Sequence, residues 1–432
     1  MGTYVNRKKG DLKEGLGHEP GMNAPHLSTA AAGQAPLRFA EFVALAAALM
    51  ALTAIGIDSM LPALPAIGTS LGVESANHRQ FVITAFLIGF GTAQLLYGPL
   101  SDRFGRRPVL MIALATYVLT SAVAAIAGSF TLLLVARVAM GTAAAGSRVI
   151  TVALVRDCYA GRAMARVMSL VFIIFMAAPI FAPTLGQIVL AAGGSWRTIF
   201  WGIGGVGGLV LLWFTARMPE TLAADARQSL VPARVLADYG VMLRDRAAVG
   251  YTIATALLSG ALFGFIGSVQ QVMADVFHRP ELLTTIFAGV AGTMAVGSFL
   301  NARIVMRLGM RMISHTAVSL LTLIAGLHLA VAVLGLETLW SFAALQALMM
   351  ACFGLATSNF SAMAMEKMGA IAGTASSLQG FVTTIVGALI GAAIGQAFDG
   401  TTIPLYSGFL LMGALSLVVV AVTERGRMFR PS

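Results

Sequence analysis

Three ionisable side chains stand inside stretches apolar enough to be buried in lipid: Asp58 in AIGIDSMLPALPAIG, and Arg137 and Arg148 in LLLVARVAMGTAAAGSRV. A charged side chain at a bilayer centre costs roughly 2.5 to 3.5 kcal/mol on insertion scales, so each asks for a partner or a water-filled cavity. A carboxylate so placed can carry a proton or pair with a cation. Burial favours the protonated form and a nearby guanidinium the ionised one, so a change of conformation can change which prevails. Asp58 lies about six residues from the outer end of its apolar run and Arg137 about seven from the outer end of its own, roughly 10 Å at 1.5 Å per residue. Their depths match, and two readings are open. Asp58 exchanges a proton against Arg137 or a cationic substrate, or the two form a static buried ion pair between the first and fourth helices. Arg148 follows Arg137 by eleven residues, close to three turns, with Gly141 and Ala144 on nearly the same stripe. That narrow polar face is expected to turn away from lipid.

Other polar positions could line a cavity near the midplane: Gln270, Gln271, Asn359 and Gln379, besides Arg148. Each equally fits a hydrogen bond between neighbouring helices. Pro179, Pro183 and Gly186 in FMAAPIFAPTLGQIVLAAGG allow a bend and close packing of the fifth helix. Charge is concentrated in GPLSDRFGRRPVL, residues 98–110. There Gly98 would let the second helix approach a neighbour closely. Asp102 could accept hydrogen bonds at the positive N-terminal end of another helix, and Asp157 is a partner for Arg106. The plainer reading is that Arg103, Arg106 and Arg107 only fix orientation.

The elements that position these residues follow from composition. The chain has 432 residues, 58% hydrophobic and 11% charged, with mean hydropathy +0.86. Spanning hydrocarbon takes roughly 20 apolar residues per helix. Such runs occur at about 39–64, 80–101, 108–128, 130–155, 166–190 and 198–216, then at about 249–274, 282–302, 312–335, 338–363, 370–397 and 402–423. The expected fold is therefore an all-α integral membrane protein of 12 transmembrane helices in two pseudo-symmetric six-helix bundles. Residues 1–36 read as a disordered tail, with Met1 or Met22 as the start and no signal peptide. Residues 37–216 form the first bundle, 217–248 a linker, 249–424 the second bundle and 425–432 a tail.

If both termini are cytoplasmic, 23 of the 28 lysines and arginines fall inside, three outside and two within the fourth helix, as the positive-inside rule requires. The net charge of +10 is then a topology signal, and nucleic-acid binding is not expected. No phosphate loop is present, the six histidines lack metal-ligand or acid–base spacing, and Cys158 and Cys352 imply no disulfide. Neither an enzyme nor a metal site is expected. Laying GPLSDRFGRR from Gly98 over ARIVMRLGMR from Ala302 matches Arg103, Gly105 and Arg107 to Arg307, Gly309 and Arg311, while Gly98 and Asp102 become Ala302 and Met306. The halves look like diverged copies, which suits rocking about a central site better than an open pore.

Six plus six helices, a linker and this degenerate repeat resemble the major facilitator superfamily (MFS fold). Gly98, Asp102, Arg103, Gly105, Arg106 and Arg107 occupy the positions of its signature loop. The run from Arg137 to Gly146 resembles its fourth-helix motif, linked in the family to proton coupling. The fifth helix resembles the exporters' antiporter motif, departing from it at Ala182 and Gln187. IDSMLPALP, LLYGPLSDRFGRRPVL, VRDCYAGRAMARVMSL, APIFAPTLGQ, IAGTASSLQGF and FDGTTIPL resemble the bicyclomycin/chloramphenicol-resistance (Bcr/CflA) branch of drug:proton antiporters. The resemblance implies export of small amphipathic drugs in exchange for protons across a bacterial inner membrane, by a monomer that needs no cofactor. It also implies that Asp102 meets the start of the eleventh helix near Gly369, as a latch shutting the cytoplasmic side. The rival reading is an exporter of an amino acid or other native metabolite, or else a symporter.

Overall fold

In the computed structural model residues 36–227 and 232–429 are described. The chain divides by contacts after Ala32, and the compact unit from Gly33 onward holds all the described residues. The reading of 1–36 as a disordered tail, with its two possible starts, therefore lies outside them except at Pro36, as does the end of the 425–432 tail. The first half is α1 (Phe39–Asp58), α2 (Leu64–Ser70), α3 (Phe81–Phe104), α4 (Arg106–Ala125), α5 (Phe130–Cys158), α6 (Gly161–Ala191) and α7 (Trp196–Arg217). After α8 (Pro232–Arg244) come α9 (Arg246–Gln271), α10 (Leu283–Leu308), α11 (Met310–Val333), α12 (Leu339–Met365), α13 (Ala372–Gln396) and α14 (Ile403–Thr423). Twelve spans among the described residues are long and apolar enough to cross a membrane, α1 and α2 forming one broken span. An even number of crossings returns the chain to the face it left, here called the terminal face.

Local chemistry explains where the helices stop. Pro62 and Pro65 stand in the first turns of a 3-10 turn at Leu61–Ala63 and of α2, where a missing N–H costs nothing, so the first span breaks just after Asp58. Gly105 and Gly309 have φ of 100° and 79°, a backbone that side chains disfavour, and each ends one helix and starts the next. The Asp245 carboxylate accepts from the Ala248 N–H at 2.9 Å, capping α9. That bond, aided by Lys367, holds the Asp245 carboxyl below the usual carboxylate range. The linker differs from the expectation. It contains a helix, α8, too short to span, and the next span begins at Arg246, before the expected boundary.

Close packing repeats between the halves. A Cβ on Gly89 would strike the Val138 carbonyl, and one on Gly141 the Phe86 carbonyl, so α3 and α5 touch backbone to backbone. Gly297 meets Ala351 and Gly354 meets Met294 in the same way between α10 and α12. Small residues make such crossings possible where no hydrophobic effect separates helix from lipid. Exposed apolar side chains such as Ile112, Leu119, Leu209, Leu212 and Leu323 lie on α4, α7 and α11, the surface a bilayer would cover. The halves meet along α3 with α13 and along α6 with α10.

Candidate functional site

Arg137 is fully buried. Its Nε donates to the Val82 carbonyl at 2.9 Å and its Nη1 to the Gly56 carbonyl at 2.7 Å. The guanidinium lies over the Phe86 ring, 4.6 Å from its centroid, with Phe200 at 5.8 Å. Gly56 is in the last turn of α1, whose carbonyls have no partner within the helix, so Arg137 caps that end with a positive charge. Asp58 is the final residue of the same helix and is 4% exposed. Its Oδ1 is buried without a hydrogen-bond partner among the described residues, as is Arg137 Nη2. Of the two readings, the static ion pair has no contact behind it: among the described residues no salt bridge joins Arg137 to Asp58, and two of the Arg137 donors are held by backbone carbonyls.

Gly186 connects this site to the rest of the molecule. A Cβ there would strike the Ser59 carbonyl, so α6 touches the chain at the residue after Asp58. Pro179 and Pro183 stand inside α6. The next residue, Gln187, accepts from Thr284 Oγ1 of α10 at 2.6 Å and donates to the Glu281 carbonyl at 3.5 Å. A cavity of about 260 Å³ beside it is lined by Pro62, Pro65, Gln187, Gln270 and Glu281. Gln270 and Gln271 thus sit at the far end of α9, facing away from the termini, and not near the midplane. The expected run of 249–274 already put both glutamines near its end, and they are the last two residues of α9.

Gln271 belongs to a network of amides that fastens the halves at that end. Gln80 Nε2 donates to Gln271 Oε1 at 2.5 Å and to the Gly395 carbonyl at 3.1 Å. Gln271 donates to Asn77 Oδ1 at 2.8 Å, and Asn77 to the Gln396 and Phe398 carbonyls at 3.0 and 2.8 Å. Gln396 answers on the Asn77 carbonyl at 2.7 Å. Deeper, Gln94 donates to Thr384 Oγ1 at 3.1 Å and to the Gly380 carbonyl at 3.4 Å. Among the described residues, the hydrogen bonds seen between the two bundles lie between this end and the level of Gln94. Sequence reasoning passed over Asn77, Gln80 and Gln396 near helix ends and Gln94 within α3, since an uncharged polar residue carries no signal of what it meets.

Of the remaining cavity candidates, Asn359 pairs with Asn301 of α10 through two hydrogen bonds of 2.7 and 3.1 Å, an interhelical bond within one half and not a cavity wall. Gln379 is 8% exposed and its Nε2 has no partner. Arg148 is half-buried, 5.7 Å from the Phe90 ring centroid.

On the terminal face, Arg106 is buried and bridges Asp102 at 2.5 Å and Asp157 at 3.0 Å, with Ser101 Oγ at 2.8 Å. Arg103 lies over the Phe104 ring. Asp102 does not reach α13: its carboxylate is 39% exposed and taken by Arg106. At the start of α13, Thr374 instead donates to Asp238 of α8 at 3.3 Å. Nothing lies within 4 Å of a Cβ on Gly98, so the close approach expected there is absent. Among the described residues, neither position has a partner in the other half.

Arg107 donates to the Met218 and Thr215 carbonyls at 2.9 Å each, and Arg311, its counterpart, binds Glu424 at 3.0 Å. Each ties its loop to the end of its own half's last helix. Burial opposes ionisation of Glu424, yet hydrogen bonds from Tyr251 and Arg311 outweigh it and hold the carboxyl below the usual range. Glu220, missed in the sequence, accepts from the Arg106 and Arg107 N–H groups at 2.9 and 3.1 Å, capping α4 from the linker.

Known proteins are similar to this chain as a whole. The chain is 30% identical over 397 residues to an uncharacterized MFS-type transporter, YdgK, of Bacillus subtilis, covering 88% of this chain and 94% of that one. It is 29% identical over 383 residues to a bicyclomycin resistance protein homolog of Haemophilus influenzae, with the same coverage. Multidrug resistance protein MdtL of Escherichia coli is 28% identical over 60% of this chain and 65% of its own. Two solved structures share the fold: the human organic anion transporter MFSD10 (TM-score 0.65, 18% identity, 89% and 100% covered) and the xylose transporter XylE from E. coli (0.66, 14%, 88% and 98%). The sequence itself matches the Major Facilitator Superfamily over residues 46–392, from within α1 to within α13, and the chain belongs to that superfamily of transporters.

Proposed function

We propose that this transporter exports small amphipathic drugs across a bacterial inner membrane in exchange for protons, alternating access between the two faces, with its termini in the cytoplasm. Relatives named for bicyclomycin and multidrug resistance support the substrate class. The observation that carries the coupling is the setting of Asp58. Its buried Oδ1 lacks a partner at the end of a helix whose last turn Arg137 caps, and α6 rests on the adjacent Ser59 through Gly186. A carboxylate there takes up a proton or meets a cation, and either event changes the charge at the point where α1, α5 and α6 converge. Gln187 passes that change to α10 of the other half through Thr284. The hydrogen bonds between the halves at the far end, with Gly98 and Asp102 meeting nothing in the other half, support a state that opens toward the cytoplasm, from which a drug is loaded. The proton gradient supplies the energy, and a monomer contains every part named.

Asp58→Asn keeps the shape and removes the titratable group. In an efflux-deficient host challenged with a drug panel, the wild-type chain is expected to confer resistance and the variant none. Purified wild-type protein should release protons on addition of an exported drug, and the variant should not. Normal export by Asp58→Asn would overturn the reading, and drug uptake driven by an inward proton gradient would replace it with symport.

A further inference from the structure

Arg148 is a guanidinium inside a membrane-spanning helix that makes no hydrogen bond and no ion pair with any described residue; its one contact of note is the Phe90 ring, 5.7 Å from its centroid. Arg137, on the same helix, has its charge absorbed by two carbonyls and two aromatic rings. Arg148 has only the ring, and it is half-buried while Ala145, Gly146 and Ser147 before it are buried. An unpaired charge at this depth faces water or a ligand, not lipid.

A second donor lies at the same depth. Thr142 of α5 donates to the Gly89 carbonyl of α3 at 3.4 Å. Advancing six residues along both helices, which run in the same direction, sets Arg148 level with Leu95. Gln94, beside Leu95, donates to the Gly380 carbonyl of α13, which sets Gln379 at that level too. The Gln379 Nε2 is buried without a partner, and leaving a buried donor unpaired costs about 1 to 3 kcal/mol. Arg148 and Gln379 thus lie at one level on the two helices that pack against α3, each with donors unused. No acid is within ion-pairing distance of Arg148 among the described residues. The donors call for an acceptor that arrives from outside.

We infer that Arg148 and Gln379 form a subsite for the anionic group of an amphipathic organic acid, a carboxylate being the smallest group that accepts paired guanidinium N–H donors. This rests on the transporter reading above and narrows its substrates to include organic anions.

The test uses purified full-length protein in detergent and two probes of one shape, 4-hexylbenzoate and 4-hexylbenzamide, measured by equilibrium dialysis at neutral pH. Wild-type protein is expected to bind the benzoate about tenfold more tightly than the benzamide, the scale of one charge-assisted pair. Arg148→Gln should reduce benzoate binding to the benzamide level and leave benzamide binding unchanged. Arg148→Lys should keep part of the preference, because it keeps the charge but loses the fork, and Gln379→Leu should lower it several-fold. Equal binding of the two probes by wild-type protein, no binding of either, or a preference that survives in Arg148→Gln would overturn the subsite; the wild-type comparison decides even if a variant fails to fold. Resistance and proton release that depend on Asp58 are measured separately. Their survival without an anion preference sinks the subsite alone, and an anion preference without proton release sinks antiport alone.

Discussion

Arg137 bonds to backbone from two helices at once, Gly56 of α1 and Val82 of α3, so its loss unfastens more than a charge. Arg137→Lys keeps the cation but offers one ammonium where a planar fork reached two carbonyls. We expect that variant to lose about 1.5 to 3 kcal/mol of stability, the worth of a hydrogen bond to a charged group, read as a lower midpoint in thermal unfolding of the purified protein. An unchanged midpoint would deny the anchoring role. The two charged residues were legible in the sequence because charge in an apolar run is conspicuous. Their partners were not, since a carbonyl acceptor belongs to every residue type, and Phe86, Phe200 and Tyr117, whose hydroxyl donates to the Leu52 carbonyl at 2.9 Å, are aromatics in a chain that has many.

Glycines on one helix do different work along its length. On α3, Gly89 faces the Val138 carbonyl at a distance no Cβ tolerates, while Gly98 faces open space. Gly89→Ala should therefore force α3 and α5 apart, with a marked loss of folded protein on size-exclusion chromatography. Gly98→Ala should leave the unfolding midpoint unchanged yet slow transport, because its Cβ meets a neighbour only when the terminal face closes. A fall in midpoint for Gly98→Ala matching that of Gly89→Ala would refute the distinction. Helix ends at Gly105 and Gly309 could be read from the repeated loop, since the positions that need a left-handed backbone are those kept in both copies. The linker helix α8 could not: its segment is too polar to span, and its seat against α9 and α13 depends on residues such as Met368 and Leu378 far along the chain.

At the scale of the whole molecule, the two bundles followed from hydropathy and charge alone, but the conformation did not, because a sequence of repeats is compatible with either face being open. The far end is where that choice is recorded. Asn77 and Gln396 each donate to the other's carbonyl, so Asn77→Cys with Gln396→Cys places two thiols within reach of a short bis-thiol cross-linker. Cross-linked protein in proteoliposomes should lose transport and regain it when a cleavable linker is cut; Cys158 and Cys352 are buried and contribute little background. Full transport by the cross-linked protein would show that this end need not open.

The side chains that fasten the far end are uncharged: the amides of Asn77, Gln80, Gln187, Gln271 and Gln396 and the hydroxyl of Thr284, with backbone carbonyls. Such groups do not titrate and carry no net charge for salt to screen. In the proposed orientation, with the termini in the cytoplasm, this gate faces the side away from the cytoplasm. Its grip is accordingly expected to be indifferent to acidity and salt on that side, and in the proposed mechanism the proton is sensed by a carboxylate deeper in the protein, not by the door itself.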